Sequence, residues 1–313
     1  MRPQDRENAQ RLNASLLSFD QEKQALIGIH ELAAREAFIE QILESIRRVN
    51  YTLVLLTREL SERSADPNDV MFDPLKSAIL HLRKGDIDEA FWSVFLYVHF
   101  GKHASAGWRY TREIYGRFGD GAYWDWATVS ANPPEFRKWL HNHQNELRRD
   151  GIPRGFGNHR KYQSLDAYAP NGTGAAFESY VKWVGPSRNH QDLMHQASIL
   201  TNGDPAKTFD YLYRSMNAVE SFGRVAKFDY LAMVGKLGLA SIEPGFAYLQ
   251  NSTGPIKGAR LLFGGYREAP IRPVELENKL AELDIELKVG KQVLEDALCN
   301  WQKNPGEFKR FRG

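Results

Sequence analysis

SFGRVAKFDYLAMVGKLGLASIEPGFAYLQNSTGPIKGARLLFGG, at residues 221–265, is the stretch around which the rest of the chain is organised. It predicts a short helix after Gly223 and a stop at Gly238, because glycine closes a helix at little steric cost. An irregular segment with Glu243 follows, and then a glycine-proline turn starts a second short helix. Each helix start carries cations and unpaired backbone N–H groups, which favour phosphate binding. A carboxylate between two such sites indicates an enzyme that acts on nucleic acid.

The residues before this stretch complete the outline of a helix–hairpin–helix. An amphipathic helix is predicted over Asp204–Phe222, followed by Gly223 and a helix over Val225–Leu237. In this element, hairpin amides and the second helix start hold one DNA phosphate without reading the sequence. The usual hairpin has two glycines flanking one residue, and only Gly223 is present here. Arg224 and Lys227 would supply the positive charge that a missing glycine amide cannot.

Three side chains of this region are candidates for catalysis. Glu243 has no evident packing role, and its carboxylate could stabilise an oxocarbenium-like transition state and orient water, as in glycoside hydrolysis. Asp229 is either a second acid of the site or a polar residue on its helix. Lys257 is a phosphate clamp or an amine nucleophile, and the clamp is favoured because an exposed lysine stays protonated. Arg260 would contact phosphate beside it.

The irregular segment at residues 151–174 carries further candidates for DNA contact. Loops of this length inside a compact domain are usually functional. Cations hold phosphates and aromatic rings stack on bases, so their interleaving is typical of a nucleic-acid loop. A solvated basic loop is the alternative. The candidate residues are Arg154, Asn158, His159, Arg160, Lys161 and Tyr162.

Another predicted helix, which runs through Phe100, ends in the segment His99–His103, and this segment has histidines at both ends. Metal ligation four residues apart needs an unbroken helix, but Gly101 favours a break and no carboxylate lies at a suitable offset. A turn that contacts DNA through Lys102 and His103, or that buries neutral histidines, fits better. We predict no metal and no cofactor.

Composition sets wider limits on the function. The chain has 313 residues, of which 42% are hydrophobic and 26% charged, as in an ordinary globular protein. A net charge of +2 does not indicate a nucleic-acid binder, so any such function must come from local patches. Cys299 is the only cysteine, which excludes a disulfide framework or a zinc finger within one chain. The sequence shows no secretory signal and no spanning run, so we expect a cytoplasmic protein with no membrane partner and no obligatory protein partner.

Helical spacing of apolar residues and scarce strand alternation predict a mainly α-helical chain. Residues 1–20 are expected to be loosely structured, with a helix at about Gln21–Arg48 and a single long helix at about Val274–Lys303. The expected parts are an N-terminal helical extension (1–49), a catalytic helical domain (50–268), and a C-terminal helix with a basic tail (269–313).

FGRVAKFDYLAMVGKLG and IEPGFAYLQNSTGPIKGARLLFGG, with the upstream loop GFGNHRKYQSL, resemble the alpha-glutamyl/putrescinyl thymine pyrophosphorylase family, clade 3. The resemblance covers about residues 50–265 and implies a fold like that of the helix–hairpin–helix DNA glycosylases. Some relatives attach amino acids or polyamines to an activated pyrimidine of phage DNA and displace pyrophosphate. Others, in bacterial defence, resemble glycosylases that remove bulky modified bases. The glycosylases' catalytic Asp follows the hairpin's second helix, which by resemblance places Glu243 nearest to it.

Residues and resemblance together lead us to expect a monofunctional DNA glycosylase of antiphage defence. It would flip out a bulky modified pyrimidine, such as glucosylated 5-hydroxymethylcytosine of phage DNA, and leave an abasic site. One alternative is a transferase that joins an amino acid or polyamine to a 5-hydroxymethylpyrimidine of DNA. Another is a DNA-binding module without catalysis. DNA, held by its backbone and its flipped base, is the expected partner.

Overall fold

The computed structural model describes residues 5–149 and 151–310, and its regular elements there are helices. No β-strand occurs within those ranges, which confirms the mainly α-helical prediction. In chain order the α-helices are Arg6–Glu22 (α1), Leu32–Leu56 (α2), Pro74–Lys84 (α3), Ile87–Phe100 (α4), Arg109–Tyr115 (α5), Trp126–Ala131 (α6), Pro133–Arg149 (α7), Thr173–Val184 (α8), His190–Leu200 (α9), Pro205–Ser215 (α10), Arg224–Lys236 (α11), Gly254–Gly264 (α12), Pro273–Leu287 (α13) and Lys291–Trp301 (α14).

The chain forms two compact units. Unit 1 consists of the described residues up to Tyr51 and those from Pro244 onward, and unit 2 consists of Thr52–Glu243. Residues 244–268, which the sequence grouped with the catalytic domain, thus lie in unit 1 together with both terminal segments. None of the described helices combines the length and the apolarity needed to cross a bilayer.

The N-terminal segment is helical, so the expectation of a loose start was wrong. Leu12, Leu16 and Phe19 lie on one face of α1 and are buried in the core of unit 1. Their spacing of four and three residues is helical, but many polar neighbours obscured it. The next helix begins at Leu32 rather than near Gln21.

The predicted long C-terminal helix is two helices, α13 and α14, so this prediction was also wrong. Lys288 and Gly290, with φ of 52° and 89°, take left-handed conformations between them. The Asp284 carboxylate accepts the backbone N–H groups of Val289 (3.2 Å) and Gly290 (2.8 Å). A helix cannot continue through such residues, and Gly290 is the sequence signal for the break.

An aromatic cluster around α4 forms the core of unit 2. The ring of Phe95 lies 4.2 Å from that of Tyr180, and the ring of Trp92 lies 4.8 Å from that of Phe177, measured between centroids. All four side chains are buried. Because aromatic side chains bury large apolar areas and pair favourably, this cluster fixes α4 and α8 relative to each other.

A buried polar chain runs through this core and holds α11. Asp88 Oδ1 lies 2.6 Å from His190 Nδ1, and His190 Nε2 lies 2.8 Å from the Tyr180 hydroxyl. The Tyr180 and Tyr230 hydroxyls are 2.7 Å apart. Burial lowers the pKa of His190, although Asp88 opposes this effect. Buried polar groups are costly unless each is hydrogen-bonded, so this chain favours one arrangement of α4, α8, α9 and α11.

Candidate nucleic-acid interface

The predicted hairpin is a short turn between α10 and α11, and a serine takes the place of the missing glycine. Ser221 has a φ of 64°, the left-handed conformation that glycine adopts easily. Its hydroxyl donates a 2.6 Å hydrogen bond to the Asn171 carbonyl. Gly223 caps the start of α11, two residues later. At the position where a second glycine was expected, Ser221 thus adopts a conformation that glycine favours.

The structure brings the hairpin together with the long loop at residues 151–174. The Gln163 side-chain amide donates a 3.0 Å hydrogen bond to the Ser221 carbonyl. Together with the Ser221–Asn171 bond, this contact joins the middle and the C-terminal end of the loop to the hairpin turn. Two segments that are about 60 residues apart in sequence thus form one surface of unit 2.

The same loop also contacts the segment after α4. The Gly157 N–H donates to the Phe100 carbonyl (2.8 Å), and a Cβ on Gly157 would lie 2.8 Å from the carbonyl carbon of Gly101. Only glycine permits this backbone approach. Lys102 and His103, the other predicted DNA contacts, therefore lie next to the loop.

Arg160 anchors the loop to α4 and pairs with Asp229 on α11. Its Nε donates to the Val98 carbonyl (2.7 Å), and one terminal nitrogen lies 2.9 Å from an Asp229 oxygen. The Arg160 side chain is only 7% exposed, while that of Asp229 is 43% exposed. One guanidinium thus links α4, the loop and α11, since its planar fork offers several donors at fixed angles. Arg160 is thereby committed to contacts within the protein, whereas its partner Asp229 stays partly exposed.

Beyond this anchor, the loop presents polar and aromatic side chains to solvent. Tyr162 is 91% exposed, and Lys161 Nζ lies 5.0 Å from the centre of its ring. Asn158, His159 and Lys102 are exposed as well. A rigid base with a protruding ring and cations has the form of a surface that binds nucleic-acid strands.

Two predicted phosphate contacts on α11 lie against the protein. Lys227 is buried, donates to the Asn217 side chain and lies 4.4 Å from the ring centre of Tyr213. Burial lowers the pKa of Lys227. The Arg224 guanidinium lies 5.5 Å from the ring centre of Phe228, at the first turn of α11.

Arg154 and His103 likewise make contacts within unit 2. The Arg154 guanidinium is 4% exposed and forms an ion pair with Glu113. His103 Nδ1 accepts the backbone N–H groups of Ser105 (3.3 Å) and Ala106 (3.1 Å), which shapes the turn after α4.

Glu243 follows α11 on a segment that folds back over this helix. The helix ends at Gly238, which has a φ of 71°. A Cβ on Gly235 would overlap the carbonyl oxygen of Ile242, so the returning segment contacts the helix backbone directly. The Glu243 N–H points to the Pro205 carbonyl, 3.4 Å away. Its side chain is exposed and makes no hydrogen bond or ion pair with any residue that the structure describes. A fixed backbone therefore carries an accessible carboxylate.

Asp229 and the segment that carries Glu243 lie on different faces of α11. Asp229 points to Arg160, whereas Glu243 follows the segment that lies on Gly235, six residues later. Six residues turn a helix by about 600°, which leaves the two positions about 120° apart. The two candidate acids are thus held by separate parts of unit 2.

Lys257 and Arg260 lie on α12 in unit 1, and the glycines beside them have a packing role. A Cβ on Gly258 would overlap the Leu298 carbonyl oxygen, and one on Gly254 would lie 2.5 Å from Cys299 Sγ. These two glycines therefore permit close contact between α12 and α14. Lys257 is exposed, while Arg260 Nε bonds the Ile271 carbonyl at 3.4 Å.

Sequence reasoning missed Gly235 and Gln163. Glycine inside a helix costs about 1 kcal/mol relative to alanine, so Gly235 is a sequence signal for a close backbone contact. No sequence signal distinguishes Gln163 from other loop residues. Among the residues that the structure describes, no group of three or more His, Cys, Asp or Glu side chains is arranged to hold a metal ion.

The chain matches the family described as alpha-glutamyl/putrescinyl thymine pyrophosphorylase, clade 3, over residues 33–313. Because this match spans most of the chain, the protein belongs to that family. The family is related to enzymes of DNA modification, and it indicates an enzyme that acts on modified DNA bases. No curated protein and no solved structure matches the chain.

Proposed function

We propose that this member of the pyrophosphorylase family is a DNA glycosylase that excises a bulky modified pyrimidine. Glucosylated 5-hydroxymethylcytosine of phage DNA is the first substrate to test, in keeping with a role in antiphage defence. The observation that carries the proposal is the exposed Glu243 on an anchored segment beyond the second helix of the hairpin.

Glu243 is the proposed reacting carboxylate. As the bond between C1′ and the base nitrogen breaks, the base leaves with the electron pair and the sugar becomes cationic. The negative carboxylate stabilises this cation and accepts a proton from the water whose oxygen bonds to C1′. The departing base takes up a proton from solvent, and the Glu243 carboxyl returns its own proton to solvent, so the products are the neutral released base and an abasic site.

Hydrolysis by water, without an amine nucleophile, makes the proposed enzyme monofunctional. Lys227 is enclosed by Asn217 and Tyr213, which suits packing rather than attack on a sugar. Lys257 is exposed, and its flexible side chain suits contact with a phosphate instead. We assign Lys257 and Arg260 to backbone phosphates.

The surface around the hairpin supplies the other proposed DNA contacts. Arg224 and the amides that start α11 suit one phosphate, while Lys102, Asn158, His159 and Lys161 suit the strand beside it. Tyr162 would stack on a base. We give Arg160, Asp229, Arg154, Lys227 and His103 positioning roles, because their side chains serve contacts within the protein.

The test is to incubate the protein with unmodified, hydroxymethylated and glucosylated phage DNA and then to treat with alkali. We expect alkali-labile breaks and released base in the glucosylated DNA, and intact unmodified DNA. Intact DNA in every sample would overturn the glycosylase proposal. Binding without any product would leave a non-catalytic DNA-binding module.

A second candidate is favoured by the family match itself, whose description names a pyrophosphorylase. In this reaction an amine nitrogen attacks the methylene carbon on the pyrimidine ring, and pyrophosphate leaves with the electron pair. The assay supplies DNA with pyrophosphorylated hydroxymethyl groups together with glutamate or putrescine. Release of pyrophosphate with gain of the amine on DNA would establish the transferase in place of the glycosylase.

A further inference from the structure

A cleft of about 410 Å3 opens in unit 2 beside the loop, and none of its lining residues belongs to the Glu243 segment. Its size is within the range of roughly 300–1,000 Å3 that is typical of small-molecule sites. Residues from α5, from the end of α7 and from the loop form its walls. They are Tyr110, Leu147, Arg148, Ile152, Arg154, Gly155, Phe156, Gln163, Ser164 and Leu165.

One side of the cleft is positively charged. Arg148 and Arg154 both line it, and none of its lining residues is acidic. Glu113 pairs with Arg154 and fixes the direction of this guanidinium, while Arg148 is exposed. The Tyr110 hydroxyl is hydrogen-bonded to Arg148, and burial raises the pKa of Tyr110 to about 12. The exposed Arg148 guanidinium and the neutral phenol O–H of Tyr110 are donors that suit a phosphate.

The opposite side of the cleft is apolar and rigid. The ring of Phe156 stacks on Phe100 at 5.7 Å and lies 5.3 Å from Tyr110, measured between ring centres. Leu165 is buried beside it, 3% exposed. Gln163 has its amide nitrogen held by the Ser221 carbonyl, which fixes the amide on the rim of the cleft. A ring or a sugar could pack against such a wall while an amide bonds its polar edge.

We propose that this cleft binds a nucleoside monophosphate unit. Its phosphate lies against Arg148 and Tyr110, and its sugar and base lie against Phe156 and Leu165. The unit is either one nucleotide of a DNA strand or a free nucleotide, because both present the same phosphate and ring. This site is distinct from the proposed catalytic segment at Glu243, and its test does not depend on base excision.

The test titrates the full-length protein with thymidine 5′-monophosphate and with thymidine by calorimetry at low ionic strength, where charge contacts are least screened. We expect the monophosphate to bind at least about ten-fold more tightly, as a charge-assisted contact predicts. Arg148→Gln should weaken binding of the monophosphate to the level of thymidine. Lys138→Gln, an exposed cation on the same helix, should leave binding unchanged.

Tyr110→Phe is the second variant, since it removes one hydroxyl and keeps the ring that packs in the wall. This variant should weaken binding of the monophosphate more than it weakens binding of thymidine. Equal binding of the two ligands, no binding of the monophosphate at millimolar concentration, or an unchanged Arg148→Gln protein would each overturn the proposal.

A competition experiment then identifies the source of the nucleotide. If the cleft holds part of a strand, a short single-stranded oligonucleotide displaces thymidine 5′-monophosphate, and Arg148→Gln weakens both ligands. If the cleft holds a free nucleotide, the oligonucleotide and the monophosphate bind together, and Arg148→Gln weakens only the monophosphate. If the protein binds the monophosphate but excises no base, the glycosylase proposal fails and the cleft assignment stands.

Discussion

At the scale of single residues, Gly235 is the position on which the Glu243 segment depends. A methyl group there meets the carbonyl oxygen of Ile242, which is backbone and cannot rotate away. We predict that Gly235→Ala destabilises the fold by about 1–3 kcal/mol and lowers base excision, because the returning segment has to move. Urea unfolding and excision kinetics measure the two effects.

Gly306→Ala is the matched control, since nothing lies within 4 Å of a Cβ at that position. Its stability and excision should equal those of the unmodified protein. A Gly235→Ala protein of unchanged stability and activity would show that the contact with Ile242 does not position Glu243.

Tyr162 carries the second prediction at this scale. The ring is 91% exposed on an anchored turn, so stacking on a base is its expected use. We predict that Tyr162→Ala weakens single-stranded DNA binding by about 1–3 kcal/mol, whereas Tyr162→Phe keeps most of the affinity. Fluorescence anisotropy measures the affinities.

Tyr168 provides the comparison for this experiment, because it is a less exposed tyrosine of the same loop (54%) whose ring packs against Arg137. Tyr168→Ala should leave DNA binding unchanged. Equal losses for both alanine variants would indicate a general effect on the loop rather than stacking by Tyr162.

At the scale of elements, Arg160 joins three parts of unit 2 and should act on DNA binding through them. Arg160→Met removes the bonds to Val98 and Asp229, so the loop at residues 151–174 should exchange its amide hydrogens faster and DNA affinity should fall. Lys161→Gln should lower affinity without changing exchange. Hydrogen exchange with mass spectrometry distinguishes the two variants. Unchanged exchange in Arg160→Met would contradict the anchoring role.

Elements with strong local signals were predictable from the sequence. Asp204-Pro205 starts α10 with the Asp204 side chain accepting two backbone N–H groups, and Gly238 ends α11 in the left-handed conformation. The replacement of a hairpin glycine by Ser221 was not predictable, because its conformation depends on the distant Asn171 carbonyl. The pairing of Arg160 with Asp229 was hidden for the same reason.

At the scale of the whole molecule, the division of the chain into units could not be read from local patterns. Unit 1 joins the two ends of the described chain: α1 contacts α13, and Arg48 forms an ion pair with Asp296 at 2.8 Å. Periodicity identifies an apolar face but does not identify its partner, and here the partners are more than 240 residues apart. The helical class was predictable because it is the sum of many local patterns.

The pH dependence of stability is a property of the whole molecule to which Glu89 contributes. Burial raises the pKa of Glu89 from 4.5 to about 8, although the Trp126 N–H and the Tyr115 hydroxyl donate to it. The folded protein therefore keeps a proton that the unfolded chain loses above pH 4.5. This contribution to stability is full below that pH and is lost as pH rises through about 8.

We predict that Glu89→Gln flattens the fall in stability over this window. On going from pH 5 to pH 8, the variant should lose less unfolding free energy than the unmodified protein. The glutamine amide stays neutral and can still accept from Trp126. Urea unfolding at both values measures the change, with the exposed Glu220→Gln as control. An unchanged slope in Glu89→Gln would show that Glu89 is already ionised in the folded protein.

Glu243 as the reacting carboxylate is the central claim, and single-turnover excision from glucosylated phage DNA tests it most directly. The rate and the DNA affinity are measured for the unmodified protein, Glu243→Gln and Asp229→Asn. We predict that Glu243→Gln lowers the rate by at least about 100-fold with unchanged affinity, as loss of a transition-state charge contact implies. Asp229→Asn should keep a measurable rate. Excision by Glu243→Gln at the unmodified rate would contradict the account.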